Sequence, residues 1–284
     1  MPPENDSSFE ARVASSSGPP SPDVSVLVPS FNSGQFIAPA IQSALNQLGF
    51  SVEVLVQDGG STDGTQAVLA DVDDDRVHVI YEKDGGQADA LNRALARARG
   101  EFILWLNADD LLRPNSVGVL LDAARSNGHD IVYGDFDIID EHGDVIKPYK
   151  SAPLDRRRLF RYGVYIFSGS VLLRRRFLEE IGGFNAALHY CMDYELYLRV
   201  AAAGASQLHV PLTVGQFRRQ PESKTETGWR PFAAEQYAVA RQHGAGVAEA
   251  VRAYVRYSGY NWLRPIFRSR LWLRLRPTKR LGGV

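Results

Sequence analysis

The chain has 284 residues, enough for one large α/β domain or two small ones. Hydrophobic residues at 44% and charged residues at 23% describe an ordinary globular protein, and 32 Lys and Arg against 33 Asp and Glu leave a net charge of −1, which argues against nucleic acid as a partner. A single cysteine, Cys191, rules out an internal disulfide framework and a thiolate-held zinc and fits a reducing cytosol.

No apolar run approaches the roughly 18 residues of a spanning helix. Residues 1–23, rich in Pro, Ser and Gly and without an apolar signal core, read as a disordered leader. Val24 to Val28 predicts a first strand, stopped by Pro29 and running into Ser30-Phe31-Asn32, with an amphipathic helix from Ile37 to Leu48 behind it. Val52 to Val56 is a second strand. It ends in Gln57-Asp58-Gly59-Gly60-Ser61-Thr62-Asp63-Gly64-Thr65, a turn with a helix start expected at Thr62 or Asp63. Val77 to Tyr81 makes a third strand, followed by Lys83-Asp84-Gly85-Gly86-Gln87 and a helix from Ala88 to Ala98. Phe102 to Leu106 is an unbroken apolar run that suits a strand buried on both faces. Directly after it come Asn107, Ala108, Asp109 and Asp110.

Strand, loop and helix thus alternate four times, which implies a mostly parallel, doubly wound α/β sheet. Such sheets bind ligands outside the carboxyl ends of their strands. That edge gathers Asp58, Asp84, Gln87 and the Asn107–Asp110 cluster. No Gly-x-Gly-x-x-Gly follows the first strand and no Gly-x-x-x-x-Gly-Lys-Ser/Thr exists, which argues against dinucleotide dehydrogenases and P-loop NTPases. Phosphates would have to be held by a metal and by cations. Two readings of Asp109 and Asp110 stand open: a helix cap, or an oxygen-ligand site for Mg²⁺ or Mn²⁺ with a substrate diphosphate completing the shell.

The second half predicts a helix near Ser116 to Ala124, a strand from Asp130 to Tyr133, and a hairpin of Phe136–Ile139 and Val145–Lys147. A basic helical piece at Asp155–Phe160, a strand at Tyr165–Leu173 and a helix at Phe177–Ile181 closed by Gly182-Gly183 follow. Leu196, Val200 and Ala203 share one helical face, which puts Asp193 in the first turn, as a capping acid or as a catalytic one. His189 either touches an acceptor or is an ordinary histidine, and Cys191 is given no role. From Arg252 onward acids are absent, and arginines interleave with Tyr254, Tyr257, Tyr260, Trp262, Phe267 and Trp272. The stretch suits an anionic membrane surface, or a terminal helix packed with its arginines in solvent.

Five motifs, in order, resemble those of the family 2 glycosyltransferases with the GT-A fold: Val26-Leu27-Val28-Pro29-Ser30-Phe31-Asn32, Asp58 to Thr65, Lys83 to Gln87, Leu106 to Asp110, and Met192-Asp193-Tyr194-Glu195-Leu196. The resemblance covers roughly Val24 to Thr225. It implies a Rossmann-like, mostly parallel central sheet flanked by helices. A donor-binding half would span 24–112, an acceptor-binding half 113–227, and a helical basic extension 228–284. It implies inverting transfer of a sugar from a nucleoside-diphosphate donor, UDP being the first expectation, to a hydroxyl of a sugar, lipid-linked or protein acceptor in surface polysaccharide, glycolipid or glycoprotein assembly.

By position, Asp58 would meet the nucleotide base, and Pro29, Ser30, Phe31 and Asn32 would line the nucleoside pocket. Gly59, Asp84, Gln87, Asn92, Asn107 and Ala108 would complete the donor site. Asp109 would be the principal ligand of Mn²⁺ or Mg²⁺ with Asp110 beside it, and Asp193 the catalytic base. Arg218, Arg219 and Lys224 would steady the diphosphate, or else are solvated surface cations. The location implied is cytoplasmic, with peripheral contact at the inner membrane face through the tail.

Asn107, Met192 and Gln220 depart from the family's usual aspartate, glutamate and histidine. The changes at Asn107 and Gln220 keep open a second class, an inactive sugar-nucleotide-binding module, against which the intact Asp109 and Asp193 argue. A third, a sugar nucleotidyltransferase, would need a glycine-rich, arginine-containing loop after the first strand, and Pro29-Ser30-Phe31-Asn32 is not one.

Overall fold

The computed structural model describes residues 21–220 and 229–255. Nearly all of the expected leader, Lys224, and the basic tail beyond residue 255 lie outside the described residues. The fourfold alternation is realised as β1 (Val24–Ser30), α1 (Ile37–Leu45), β2 (Val52–Asp58), α2 (Thr65–Ala70), β3 (Val77–Tyr81), α3 (Gln87–Leu95) and β4 (Phe102–Trp105). Every residue of β1, β2 and β4 is buried, as strands covered on both faces must be. β3, at the sheet edge, is not fully covered. β1 pairs in parallel with β2 and β4, and β2 with β3, in a register that aligns Ser30, Asp58 and Tyr81. The loops after these strands therefore leave the sheet along one line.

Alternation of side chains along the strands creates two apolar layers. Val26, Val28, Val54, Val56, Phe102 and Leu104 pack with Ile37, Ile41 and Leu69 of α1 and α2, and with Leu120 of α4 (Val117–Asn127). Leu27, Leu55, Ile103 and Trp105 face the opposite layer with Leu91 of α3. Full burial of one such side chain contributes about 1.5–3 kcal/mol, so these layers fix which face each helix covers.

The second half adds β5 (Leu111–Leu112), β6 (Ile131–Ile139), β7 (Val145–Tyr149), α5 (Arg156–Tyr162), β8 (Val171–Arg174), α6 (Arg175–Glu180), α7 (Met192–Ala202), β9 (Gln207–Arg218) and α8 (Trp229–Gln242). The described sheet has nine strands in the order β3-β2-β1-β4-β8-β6-β9-β5, with β7 on β6. β4 with β8, β8 with β6, β6 with β7 and β5 with β9 are antiparallel, and β6 with β9 is parallel. Among the described residues no helix is long and apolar enough to cross a membrane.

Several boundaries differ from the sequence expectations. α1 stops at Leu45, and Leu48 is exposed. α2 starts at Thr65 rather than Thr62 or Asp63, because Gly64 takes φ 95° and Asp63 accepts from the Thr65 N–H as a turn residue. Of Tyr165–Leu173 only the last residues are strand. Ser168–Ser170 form a 3₁₀ turn at which Gly169 lies against the Phe167 ring, with room for no Cβ. β9 was not anticipated. Pro211 interrupts its apolar pattern, and the register with β6 jumps between the His209 and Thr213 pairs, as a residue without an N–H requires.

Candidate functional site

A crevice of about 780 Å³ opens off the carboxyl ends of β1, β2, β3 and β4. Pro29, Ser30, Phe31, Asn32, Gly59, Asp84, Gln87, Asn107, Ala108, Asp109 and Arg218 all line it. The structure thus brings together most of the residues the sequence put forward. It adds Ser33, Gln35, Phe36, Asp63, Lys83, Gly86, Ala90, Phe217 and Gln220. Phe31 stands 65% exposed at the wall, a large apolar face left open to solvent.

Two of its walls are stitched together by local hydrogen bonds. Asn32, held at φ 51°, donates its N–H to Ser61 Oγ at 2.8 Å, and its side-chain oxygen accepts from Thr62 N–H at 2.9 Å. Ser33 N–H donates to Thr65 Oγ1 and Gly34 N–H to Asp63 Oδ2. The loop after β1 is thereby fixed against the loop after β2.

Asp58 closes β2. Its fully buried carboxylate accepts from Ser61 N–H at 2.9 Å, Ser61 Oγ at 2.5 Å, Gly60 N–H, Ser30 Oγ and Gln66 Nε2. Burial pushes the carboxyl up, and the donors of Ser61, Gln66 and Ser30 outweigh burial and hold it below the ordinary range. The crevice lining does not include Asp58; its carboxylate shapes the loop behind it. Asp58→Ala should therefore lower stability by about 1–3 kcal/mol, as stranded donors do. A depressed carboxyl stabilises above its unfolded pKa and loses that contribution as pH falls through its folded one, so urea midpoints of wild type and variant should converge in acid.

Asn92 is also outside the lining. Its amide bridges to Phe184, donating to the carbonyl at 2.7 Å and accepting from the N–H at 2.9 Å, so it ties α3 to the segment before α7. Asp84, by contrast, reaches the wall with one oxygen accepting from Gly86 N–H, and burial raises its carboxyl.

The floor is an interlocked set. Asn107 Oδ1 accepts from Gln87 Nε2 and Trp105 Nε1, each at 2.8 Å, and its Nδ2 donates to Asp110 Oδ2 at 2.8 Å. Asp110 Oδ1 accepts the Arg218 N–H at 2.7 Å. Asp110 is 1% exposed, and burial together with the neighbouring Asp109 charge pushes its carboxyl well up. It lies beneath the crevice rather than in its lining. Asp109 is the carboxylate of this cluster on the wall. Burial raises its proton affinity, and its Oδ2 accepts from Gln220 Nε2 at 2.7 Å. Arg218 arrives from the end of β9, 5% exposed, with Nε on the Asp109 carbonyl, Nη1 on the carbonyls of Asp140 and Glu141, and its guanidinium over Phe36.

These groups fit a hard divalent cation of one kind. Among the described residues no three His, Cys, Asp or Glu side chains cluster tightly enough to hold a metal by themselves. Asp109, the one carboxylate that this cluster puts on the wall, suits a hard divalent cation such as Mg²⁺ or Mn²⁺ that takes most of its oxygen donors from elsewhere, not a cage made by the protein alone.

Asp193 is not in the crevice lining. It sits in the first turn of α7, its Oδ1 accepting from Tyr194 N–H at 2.7 Å, and burial pushes its carboxyl up to about 6. The loop leading to it meets the crevice through His189, beside Gly86. Cys191 is buried, and its thiol donates to the Phe232 carbonyl at 3.5 Å.

A doubly wound sheet with a polar, carboxylate-bearing crevice at its strand ends defines an α/β ligand-binding domain. Residues 25–182 match the family model for glycosyl transferase family 2, and the chain belongs to that family. Among its relatives are an uncharacterized glycosyltransferase of Rickettsia conorii, 31% identical over 62% of this chain and 31% of that protein, and the succinoglycan biosynthesis protein ExoO of Rhizobium meliloti, 33% identical over 64% of this chain and 57% of that protein. The chain thus spans only part of the curated relatives it matches.

Its fold is similar to that of S. aureus TarS 1–349, solved with UDP-GlcNAc, at TM-score 0.63 and 18% identity over 89% of this chain and 76% of that one. It is also similar to the mannosyltransferase PcManGT of Pyrobaculum calidifontis, solved with GDP-Man and Mn²⁺, at TM-score 0.59 and 21% identity over 86% of this chain and 71% of that one. The fold is GT-A, the architecture expected from the sequence motifs.

Proposed function

We propose that this protein is an inverting glycosyltransferase that moves a sugar from a nucleoside-diphosphate donor to an acceptor hydroxyl in the assembly of a surface polysaccharide. The carrying observation is the convergence of four strand-end loops and the end of β9 on one crevice, with Asp109 on its wall. The kinship with a succinoglycan biosynthesis protein supports the polysaccharide assignment.

In this reading Phe31, Asn32 and Asp84 receive the nucleoside, and Lys83 and Arg218 bring positive charge toward the diphosphate. Mn²⁺ or Mg²⁺, held by Asp109 and the diphosphate, would supply neutralisation of the charge that develops on the leaving oxygens. Asp193 takes the acceptor proton while the new carbon–oxygen bond forms and the bond to the diphosphate breaks. A carboxyl raised to about 6 is still ionised at neutral pH and is a stronger base than an ordinary aspartate. The residues before 113 chiefly hold the donor, the end of β9 joins them, and the rest of the second half meets the acceptor.

Peripheral contact with an anionic membrane belongs to the same reading. Val247, Val251, Tyr254 and Val255 form an exposed stripe on the helical residues 247–255, directly ahead of the acid-free, arginine-rich sequence. A lipid-linked acceptor would be presented there.

The test is nucleoside diphosphate release from a panel of UDP-, GDP- and dTDP-sugars with Mn²⁺, Mg²⁺ or EDTA. Metal-dependent release from one donor is the expected result. Nucleotide binding without release, with acceptor extracts present, would favour a binding module, and absence of any nucleotide binding would overturn the reading.

A further inference from the structure

The N-terminus of α7 has no cap of its own, since the Cys191 side chain makes no capping bond. The three residues that lead into the helix are held instead by a carboxylate from another helix. Glu235 of α8 accepts the N–H of His189 at 3.0 Å, of Tyr190 at 3.1 Å and of Cys191 at 3.2 Å on Oε1, and its Oε2 approaches the first two at 3.3 and 3.2 Å. Three successive loop N–H groups converging on one carboxylate form a nest of backbone donors around an anion. The Cys191 thiol adds a second tie to the same helix through Phe232.

Resting on the glycosyltransferase reading, we propose that Glu235 is a positioning residue for the transfer step: it clamps residues 189–191 and so fixes where the first turn of α7 presents Asp193. The clamp acts at both ends. Upstream, His189 stands beside Gly86 on the crevice wall; downstream, Asp193 follows Cys191 by two residues. A loop free to shift by about an ångström would misplace the base relative to the acceptor, at a cost of about 10²-fold in rate.

The charge of Glu235 has its own effect. The titratable groups facing Asp193 are Cys191 and Tyr197 on its own segment and Glu235 from α8. Tyr133 of β6 faces Tyr197 from behind. Glu195, one turn from the start of α7, is paired with Arg199 and approached by His243. Desolvation is the main cause of the raised Asp193 carboxyl, and the Glu235 carboxylate pushes in the same direction. A negative neighbour makes Asp193 hold a proton more tightly, so removing that charge should lower its titration midpoint.

The experiment compares Glu235→Gln and Glu235→Ala with wild type in the full chain. The ¹³C signal of the Asp193 carboxyl is assigned by its absence in Asp193→Asn and followed against pH. Glutamine keeps an oxygen to accept the backbone N–H groups but loses the charge. Its Asp193 midpoint should fall below the wild-type value, and the acid limb of its donor-cleavage profile should move down with it. Alanine loses the clamp as well, and its kcat should fall about 10–100-fold with donor KM unchanged.

A midpoint identical to wild type in both variants would overturn the inference. So would an alanine variant whose donor KM rises as far as its kcat falls, which marks a general brace. The titration needs no turnover. A chain that cleaves no nucleotide sugar would therefore sink the glycosyltransferase reading while the Asp193 midpoint still decides on Glu235.

Discussion

Asp193→Asn should lower kcat for sugar transfer by about 10²–10⁴-fold, the contribution of a positioned general base. The asparagine keeps the shape and can still accept the Tyr194 N–H, so donor KM should stay within about twofold. In the wild type the rate should fall about tenfold per unit as pH drops below about 6, where the buried carboxyl takes up its proton.

Stability should run the opposite way. A carboxyl whose folded pKa is raised to about 6 binds its proton more tightly in the native state than in the unfolded chain, where the value is about 3.9. Its stabilising contribution is complete below the unfolded value and is lost as pH rises through about 6. The asparagine variant escapes that loss and should be at least as stable as wild type at pH 7, by thermal melts at pH 5 and 7. An inactive but fully stable variant separates chemistry from folding. A variant with wild-type transfer rates would remove Asp193 from the mechanism.

Asp109→Ala should weaken binding of the cognate nucleoside diphosphate by about 100-fold in Mn²⁺, equivalent to ~2.7 kcal/mol, because the only carboxylate that the Asn107–Asp110 cluster puts on the crevice wall is gone. Calorimetry in EDTA supplies the second arm. Without metal the wild type should bind as weakly as the variant, since the carboxylate and the cation act as one unit. Equal wild-type affinity with and without EDTA would sink the metal assignment. The neighbouring Asp110 should behave otherwise. Asp110→Ala strands the Arg218 N–H and the Asn107 amide, and should cost about 1–3 kcal/mol of stability, read as a lower denaturant midpoint. Adjacent aspartates thus part in place, one on the crevice wall and one buried beneath it.

That division was not legible in the sequence. Asn107-Ala108-Asp109-Asp110 announces an acidic cluster after a buried strand, but only the approach of β9, more than a hundred residues later in the chain, turns Asp110 inward to the Arg218 N–H and leaves Asp109 on the wall. Asp58 is an intermediate case. Its turn with Ser61, three residues on, is local, whereas the Ser30 donor comes from the neighbouring strand. Gln220 and Phe217 entered the crevice for the same reason, through pairing of β9 with β5 and β6.

The sequence by itself determined the parallel half of the sheet and the edge on which the site lies. The run at Phe102 is unbroken, those at Val24 and Val52 are interrupted only by Ser25 and Glu53, and each reads as a strand buried on both faces with a polar loop after it. It also set Asp193 in the first turn of a helix, because the apolar period of that helix is local. The tertiary structure alone decided which acids face the crevice, that Asn92 bridges to Phe184, and that Glu235 of another helix holds the three residues leading into α7. Backbone periodicity is written within a few residues. The partner of a buried carboxylate is chosen by whatever the rest of the chain brings against it, and no local pattern records that choice.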